Sequence, residues 1–207
     1  MKLLIFGATG SIGHQLVEHA LAQGHLVTAF TRNPEKVEQE HENLMVIQGD
    51  ILNLSSVARA VQGQDAVLCS IGAGRKGMIR SEGTRHIIQA MEKASVRRFI
   101  CQSTLGVDES WGNLDFFWKR IMFGLLLRSV FADHVSQEHY VKQSHLDWTI
   151  VRPAAFTDGE QTGAYQHGFS GKERRLTLKI SRADVADFML KQLRDRSYLR
   201  MTPGLSY

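Results

Sequence analysis

Apolar positions along this chain change their period repeatedly, and the alternation predicts strands and helices in turn. Leu3, Leu4, Ile5 and Phe6 form an unbroken apolar run of the kind that a strand buried on both faces requires. Ile12, Leu16, Ala20 and Leu21 then recur at helical spacing, which predicts an amphipathic helix. Apolar runs at 25–31 (HLVTAFT), 44–48 (LMVIQ), 66–71 (AVLCSI), 98–102 (RFICQ) and 147–151 (DWTIV) predict strands two to six. Helical patterns lie between them, notably at 55–61 and at 82–94, where Ile87, Ile88 and Met91 supply the inner face. Near the end, Ser181 with Asp184 reads as a capping box opening a helix through Leu193, with Val185, Phe188 and Met189 facing inward. Strand and helix alternating in this way imply an α/β fold with a doubly wound parallel sheet, its ligand lying across the carboxyl ends of the strands.

One stretch breaks the rhythm. Residues 114–131 (LDFFWKRIMFGLLLRSVF) make a densely apolar helix candidate. Lys119, Arg120 and Arg128 interrupt it, and only seven residues separate the last two, whereas a crossing helix needs roughly 20 apolar residues, so it is not a membrane span. A helix packed over a pocket and the sheet edge, a hydrophobic lid, a partner groove and a membrane-surface contact all fit the pattern.

Composition narrows the class. A chain of 207 residues, 43% hydrophobic, can bury a sizeable core, and three prolines mark no flexible linker, so 1–207 is expected to be one domain. Cys69 and Cys101 both lie in apolar runs and read as two reduced core thiols, with no metal site implied, which suits a cytoplasmic protein. Met1 leads straight into a core strand, so no signal peptide is expected. A net charge of +4 suits an anionic cofactor, and without a long basic block nothing points to nucleic acid.

The most specific chemistry follows the first strand. Gly7, Gly10 and Gly13 allow a tight turn and a close backbone approach to a pyrophosphate, and the helix beginning there would direct its N–H groups and dipole at the same phosphates. Thr9, Ser11 and Ile12 belong to this loop. The pattern predicts a Rossmann-like dinucleotide site. At the end of strand two, where an acidic residue would bind a ribose 2′-hydroxyl, this chain places Arg32 and Lys36, which favours the 2′-phosphate of NADPH. Asp50 and Ile51, just past strand three, are expected at the adenine edge, and Ile71 and Gly72, after strand four, on the path to the nicotinamide. Trp111 and Tyr165 are candidate flat walls for an aromatic acceptor, with Thr104 beside them.

The lysine-activated tyrosine of ordinary short-chain dehydrogenases is missing. The residues four after Tyr140, Tyr165 and Tyr198 are Ser144, Phe169 and Thr202, and Tyr207 is the last residue. Alcohol–ketone interconversion is therefore disfavoured, and hydride delivery to an acceptor that delocalises charge, such as a flavin or a linear tetrapyrrole, is favoured.

FGATGSIG (6–13), GQDAVL (63–68), SEGTRHI (81–87), TGAY (162–165) and ISRADVADFML (180–190) together resemble the atypical short-chain dehydrogenases of the NmrA-like superfamily, and within it the biliverdin-IXβ reductase/flavin reductase family. The resemblance covers essentially the whole chain. It implies an NADPH-dependent reductase of free flavins and certain biliverdin isomers, with an open pocket above the nicotinamide in a small C-terminal, substrate-side section. It also implies that Ser103 lies beside the nicotinamide, that His134 is a pocket histidine, and that the backbone of Pro153, Ala154, Ala155 and Phe156 holds the carboxamide. A second family histidine, which follows a Pro-Pro pair, is replaced here: the matching stretch is Pro153-Ala154-Ala155. Other NmrA-like proteins bind NADP without turning it over, so the resemblance leaves a dinucleotide-sensing regulator as the alternative. A monomer is expected, with a partner possible through 114–131.

Overall fold

Side chains of the first strand point alternately into two hydrophobic cores. β1 (Lys2–Phe6) sends Leu3 and Ile5 to one side and Leu4 and Phe6 to the other, all four fully buried, which explains its unbroken apolar run. The computed structural model describes residues 1–72 and 78–207. In it β1 is flanked in parallel by β2 (Leu26–Thr31) and β4 (Ala66–Cys69), with β3 (Leu44–Gln48) outside β2. Beyond β4 lie β5 (Arg98–Gln102) and β6 (Asp147–Pro153), then the short β10 (Gly204–Ser206), parallel to β6, and β8 (Gln166–His167), antiparallel to β10. The order β3-β2-β1-β4-β5-β6-β10-β8 reverses direction between β1 and β4, and at such a switch point a crevice opens outside the strand ends. A separate parallel pair, β7 (Ala155–Thr157) with β9 (Lys179–Ser181), stands beside that crevice.

Helices α1 (Ser11–Ala22) and α5 (Arg182–Lys191) cover the face that carries Leu3 and Ile5. The other face is covered by α2 (Leu54–Val61), α3 (Ile79–Ala94) and α4 (Arg128–Gln143). Local caps open two of them, the one at Ser181 as expected. The Asn53 side chain accepts the Ser56 N–H at 3.0 Å before α2, and Ser181 Oγ accepts the Asp184 N–H at 3.0 Å before α5. Asp184 does not complete the box. Its carboxylate accepts from the Thr162 and Gly163 N–H groups, each at 2.8 Å, and from the Tyr207 hydroxyl at 2.6 Å. The TGAY and ISRADV motifs are thus two halves of one hydrogen-bonded joint.

Element ends differ from the sequence expectation where long-range partners intervene. β4 ends at Cys69, past which Ser70 still donates its N–H to the Phe6 carbonyl at 3.0 Å while its own carbonyl lies against Gly7, and β6 runs on to Pro153 because β10 pairs with Arg152 and Pro153. α3 begins at Ile79 rather than at 82. Its first turn is capped from α4, where Asp133 accepts the N–H groups of Arg80 and Ser81 at 3.1 and 3.0 Å.

The expected single helix over 114–131 is two pieces. Phe117–Leu126 is π-helical, closing with the Leu127 N–H on the Met122 carbonyl at 2.7 Å, and α4 restarts at Arg128 after a break at Leu127. The wider winding turns Trp118, Phe123 and Leu127, spaced five and four apart, to the protein side, and leaves Phe117, Ile121 and Leu125 outside. Beneath it, α4 is clamped to β6. The fully buried Arg152 donates to Glu138 through Nε and Nη2 at 2.9 and 2.7 Å, and through Nη1 to Glu109 at 2.5 Å.

Candidate functional site

Gly7 ends β1 with φ +82, and a Cβ placed there would come within 2.5 Å of the Ser70 carbonyl oxygen. A Cβ on Gly13 would land directly on the Gly7 carbonyl oxygen. These two glycines therefore let the loop fold tightly against β4 and against its own helix. Gly10 differs: it is the N-cap of α1, where no side chain takes the helix N–H groups, and a Cβ there would meet only the Gly7 oxygen at 3.1 Å and the Ser70 oxygen at 3.9 Å. The loop thus presents bare backbone and a helix dipole to the crevice, which is what a pyrophosphate requires.

Two cavities share this loop. One, of about 500 Å³, lies over the ends of β1, β2 and β3 and is lined by Gly7, Thr9, Arg32, Lys36, Asp50 and Ile51 among others. Arg32 and Lys36 are both exposed at its rim. Asp50 is fixed at its mouth, accepting the Leu52 N–H at 2.9 Å. The second, of about 410 Å³, lies over the ends of β4, β5 and β6 and is mainly apolar. Gly10, Ile71 and Gly72 line both, so the two form one cleft across the switch point. The first cavity matches the adenosine half of a dinucleotide and its cations match a phosphate. The residues present fit an NAD(P)H cofactor.

The second cavity collects Ser11, Ile12, Ser103, Thr104, His134 and the 153–156 stretch. Ser103 is held at the end of β5 by its N–H on the Val151 carbonyl at 2.7 Å, and its Oγ faces His134 Nδ1 at 3.5 Å. His134 is only 6% exposed. Burial, aided by the Arg80 guanidinium, holds its imidazole neutral well below the ordinary histidine range. A neutral imidazole beside a hydroxyl can orient or relay a proton but is not a charged acid waiting at pH 7.

Three expectations are corrected. Trp111 does not line the cavity: it packs edge-tilted on Phe131 with ring centroids 5.6 Å apart. Tyr165 is also outside it, its hydroxyl donating to Asp187 at 2.8 Å and its ring meeting Phe188 edge-on, so burial and the Asp187 carboxylate push its pKa up. The third concerns the carboxamide. The N–H groups of Ala154 and Ala155 are already donated to the Leu205 and Leu178 carbonyls, at 2.9 and 3.1 Å, so the backbone of Pro153 to Ala155 could meet a carboxamide only through carbonyl oxygens, as acceptors.

The sequence reading missed Arg80, Gln102 and Arg182. Arg80 is buried in the cavity wall, its Nε donating to the Ile71 carbonyl at 3.2 Å and its Nη1 3.4 Å from Asp133. Nothing local distinguishes it from the exposed arginines of this chain. Arg182 reaches the rim from the start of α5, 5.5 Å above the Phe156 ring. The roof was signalled by the density of apolar residues in 114–131: Leu114, Trp118, Phe123, Leu127 and Val130 all line the cavity.

Comparison with known proteins agrees with this geometry. A family model described as NAD(P)H-binding matches residues 7–196. The UPF0659 protein YMR090W of Saccharomyces cerevisiae is 30% identical over 205 residues, covering 93% of this chain and 87% of that protein. Among solved structures, ChuY of Escherichia coli O157:H7, described as an anaerobillin reductase, superposes with a TM-score of 0.83 at 26% identity, covering 100% of this chain and 97% of that one. A short-chain dehydrogenase/reductase from Veillonella parvula, solved with NADP, has the same fold, with a TM-score of 0.83 at 20% identity, covering 100% of this chain and 94% of that one.

Proposed function

Because this chain belongs to the NAD(P)H-binding family, an oxidoreductase-type fold, we propose that it is an NADPH-dependent reductase of a planar conjugated acceptor, a flavin or a linear tetrapyrrole. The observation that carries the reading is the divided cleft: a cationic cavity and an apolar one, joined at the glycine loop. ChuY, described as an anaerobillin reductase, supports the acceptor class. The NADP complex of the Veillonella protein supports the cofactor.

When bound, NADPH supplies the hydride. The chain supplies the surroundings. Gly10 and the N-terminus of α1 would hold the pyrophosphate, and Arg32 and Lys36 the 2′-phosphate. Trp118, Phe123 and Leu127 line the acceptor cavity with apolar surface, and water that a bound acceptor displaced from it would leave every charge interaction there stronger. Negative charge arriving on a conjugated acceptor spreads over its ring system, and Arg80 and Arg182, both lining the cavity, lie where they would stabilise it. The Ser103 hydroxyl, oriented by neutral His134, can donate a hydrogen bond to the acceptor, the proton itself coming from water or through this pair.

The test is steady-state NADPH oxidation by the purified protein with FMN, riboflavin and biliverdin offered in parallel. Turnover with at least one is expected. Tight NADPH binding without turnover of any of them would overturn the reductase reading and assign a dinucleotide-sensing role.

A further inference from the structure

The roof of the acceptor cavity has a second face. Phe116, Phe117, Ile121, Leu125 and Leu126 point away from the protein, with Phe116 74% and Leu125 71% exposed. Soluble monomers rarely gather so many large apolar side chains on one surface element. The charges carried by the segment are mainly of one sign: from Phe116 to Ala132 the chain holds Lys119, Arg120 and Arg128 and no acidic residue. The preceding carboxylate, Asp115, is turned into the segment's own first turn, its Oδ1 accepting the Trp118 N–H at 2.9 Å.

An apolar face flanked by cations is complementary to an anionic bilayer surface, where aromatic and aliphatic side chains enter the acyl boundary while Lys and Arg remain among the headgroups. A second copy of the chain fits this face poorly. A two-fold contact would set two net-positive faces against each other, three cations to the single Asp115 carboxylate on each, at the cost of like-charge repulsion. We propose that the 116–126 face docks this protein peripherally on anionic lipid membranes. Among the described residues no helix is long and apolar enough to cross a membrane, which is consistent with a surface mode. The surface stands independently of which acceptor the cavity takes.

Co-sedimentation with phosphatidylcholine vesicles, with and without about 30 mol% phosphatidylglycerol, reads the proposal directly, because each Lys or Arg near such a surface is worth roughly a five-fold gain in partition. Strong binding to the anionic vesicles and weak binding to the neutral ones is expected. Lys119→Glu with Arg120→Glu should lower the anionic partition by about 25-fold or more. Phe116→Ser and Leu125→Ser should each lower it by roughly 10-fold through lost apolar insertion. All four positions lie outside the cofactor and acceptor cavities, so NADPH affinity and far-ultraviolet circular dichroism should stay unchanged. No sedimentation with either vesicle, or equal binding to both, would overturn the proposal. So would a wild-type dimer in light scattering that Leu125→Ser converts to monomer, since that result would make the face a self-interface.

Discussion

Replacing Arg32 and Lys36 with alanine tests whether the adenosine end of the cleft selects a phosphorylated ribose. The Arg32 backbone is anchored by its carbonyl, which accepts from Gln48 Nε2 at 3.3 Å, a bond that does not involve the guanidinium. Charge-assisted hydrogen bonds contribute about 1.5 to 3 kcal/mol each. Both side chains are exposed, so the lower figure applies, equivalent to roughly a 12-fold gain per contact. Two contacts would give about 150-fold, and the Asp50 carboxylate in the same cavity opposes a phosphate, which brings the expected preference for NADPH over NADH to roughly 100-fold. Arg32→Ala should leave about a 10-fold preference, and the double variant almost none, with NADH affinity unchanged in both. Calorimetric titration with each nucleotide measures this, at low salt and again near 1 M, where a screening length of about 3 Å should shrink the preference. Equal affinities in the wild type, or a preference that survives the double substitution, would refute the assignment.

Gly13→Ala drives a methyl into the Gly7 carbonyl, so it should either prevent folding of the loop or abolish NADPH binding; a folded variant with wild-type affinity would show that the loop can open without loss. Ala155→Trp, which fills the acceptor cavity from one wall, should nearly abolish hydride transfer in stopped-flow measurements while NADPH still binds. His134→Gln should slow that hydride step by less than the roughly 100-fold minimum typical of losing a general acid, because the imidazole is held neutral; a loss of several orders of magnitude would contradict this. The same residue gives a pH signature. Its folded pKa lies below the ordinary 6.5, so below that pH the unfolded chain binds the extra proton, and stability should fall by up to about 1.4 kcal/mol per pH unit as the pH drops. Urea titrations at several pH values should show a shallower fall for His134→Gln than for the wild type, and equal slopes would contradict the buried neutral state.

Much of the fold was legible from local pattern. The apolar runs mark β1, β2 and β5 almost to the residue because each strand is buried within a parallel sheet, and such burial leaves a signature in consecutive residues; β3 is marked as well, although it is the edge strand and leaves Met45 and Val46 exposed. The glycine loop was legible for the same reason: Gly7 and Gly13 are required by backbone contacts only a few residues away or at the adjoining strand end. The Ser181 cap is likewise a local hydrogen bond. Tertiary structure decided what depends on residues distant in the chain. α3 gains its first turn from Asp133, more than fifty positions later, and no local rule announces such a cap. The 114–131 segment is apolar on nearly every side, so its sequence does not indicate which face turns inward; packing over the cavity selects the π-helical winding and leaves the remaining apolar face outside. Arg80 and His134 become site residues because α3 and α4 pack side by side above the strand ends. Tyr165 looked like a wall for the acceptor and Asp184 like half of a capping box, and both are instead joints between the C-terminal loop and α5. Periodicity records which side of an element is buried, but the partner that buries it, and hence the charge state and role of a side chain, is set by three-dimensional packing.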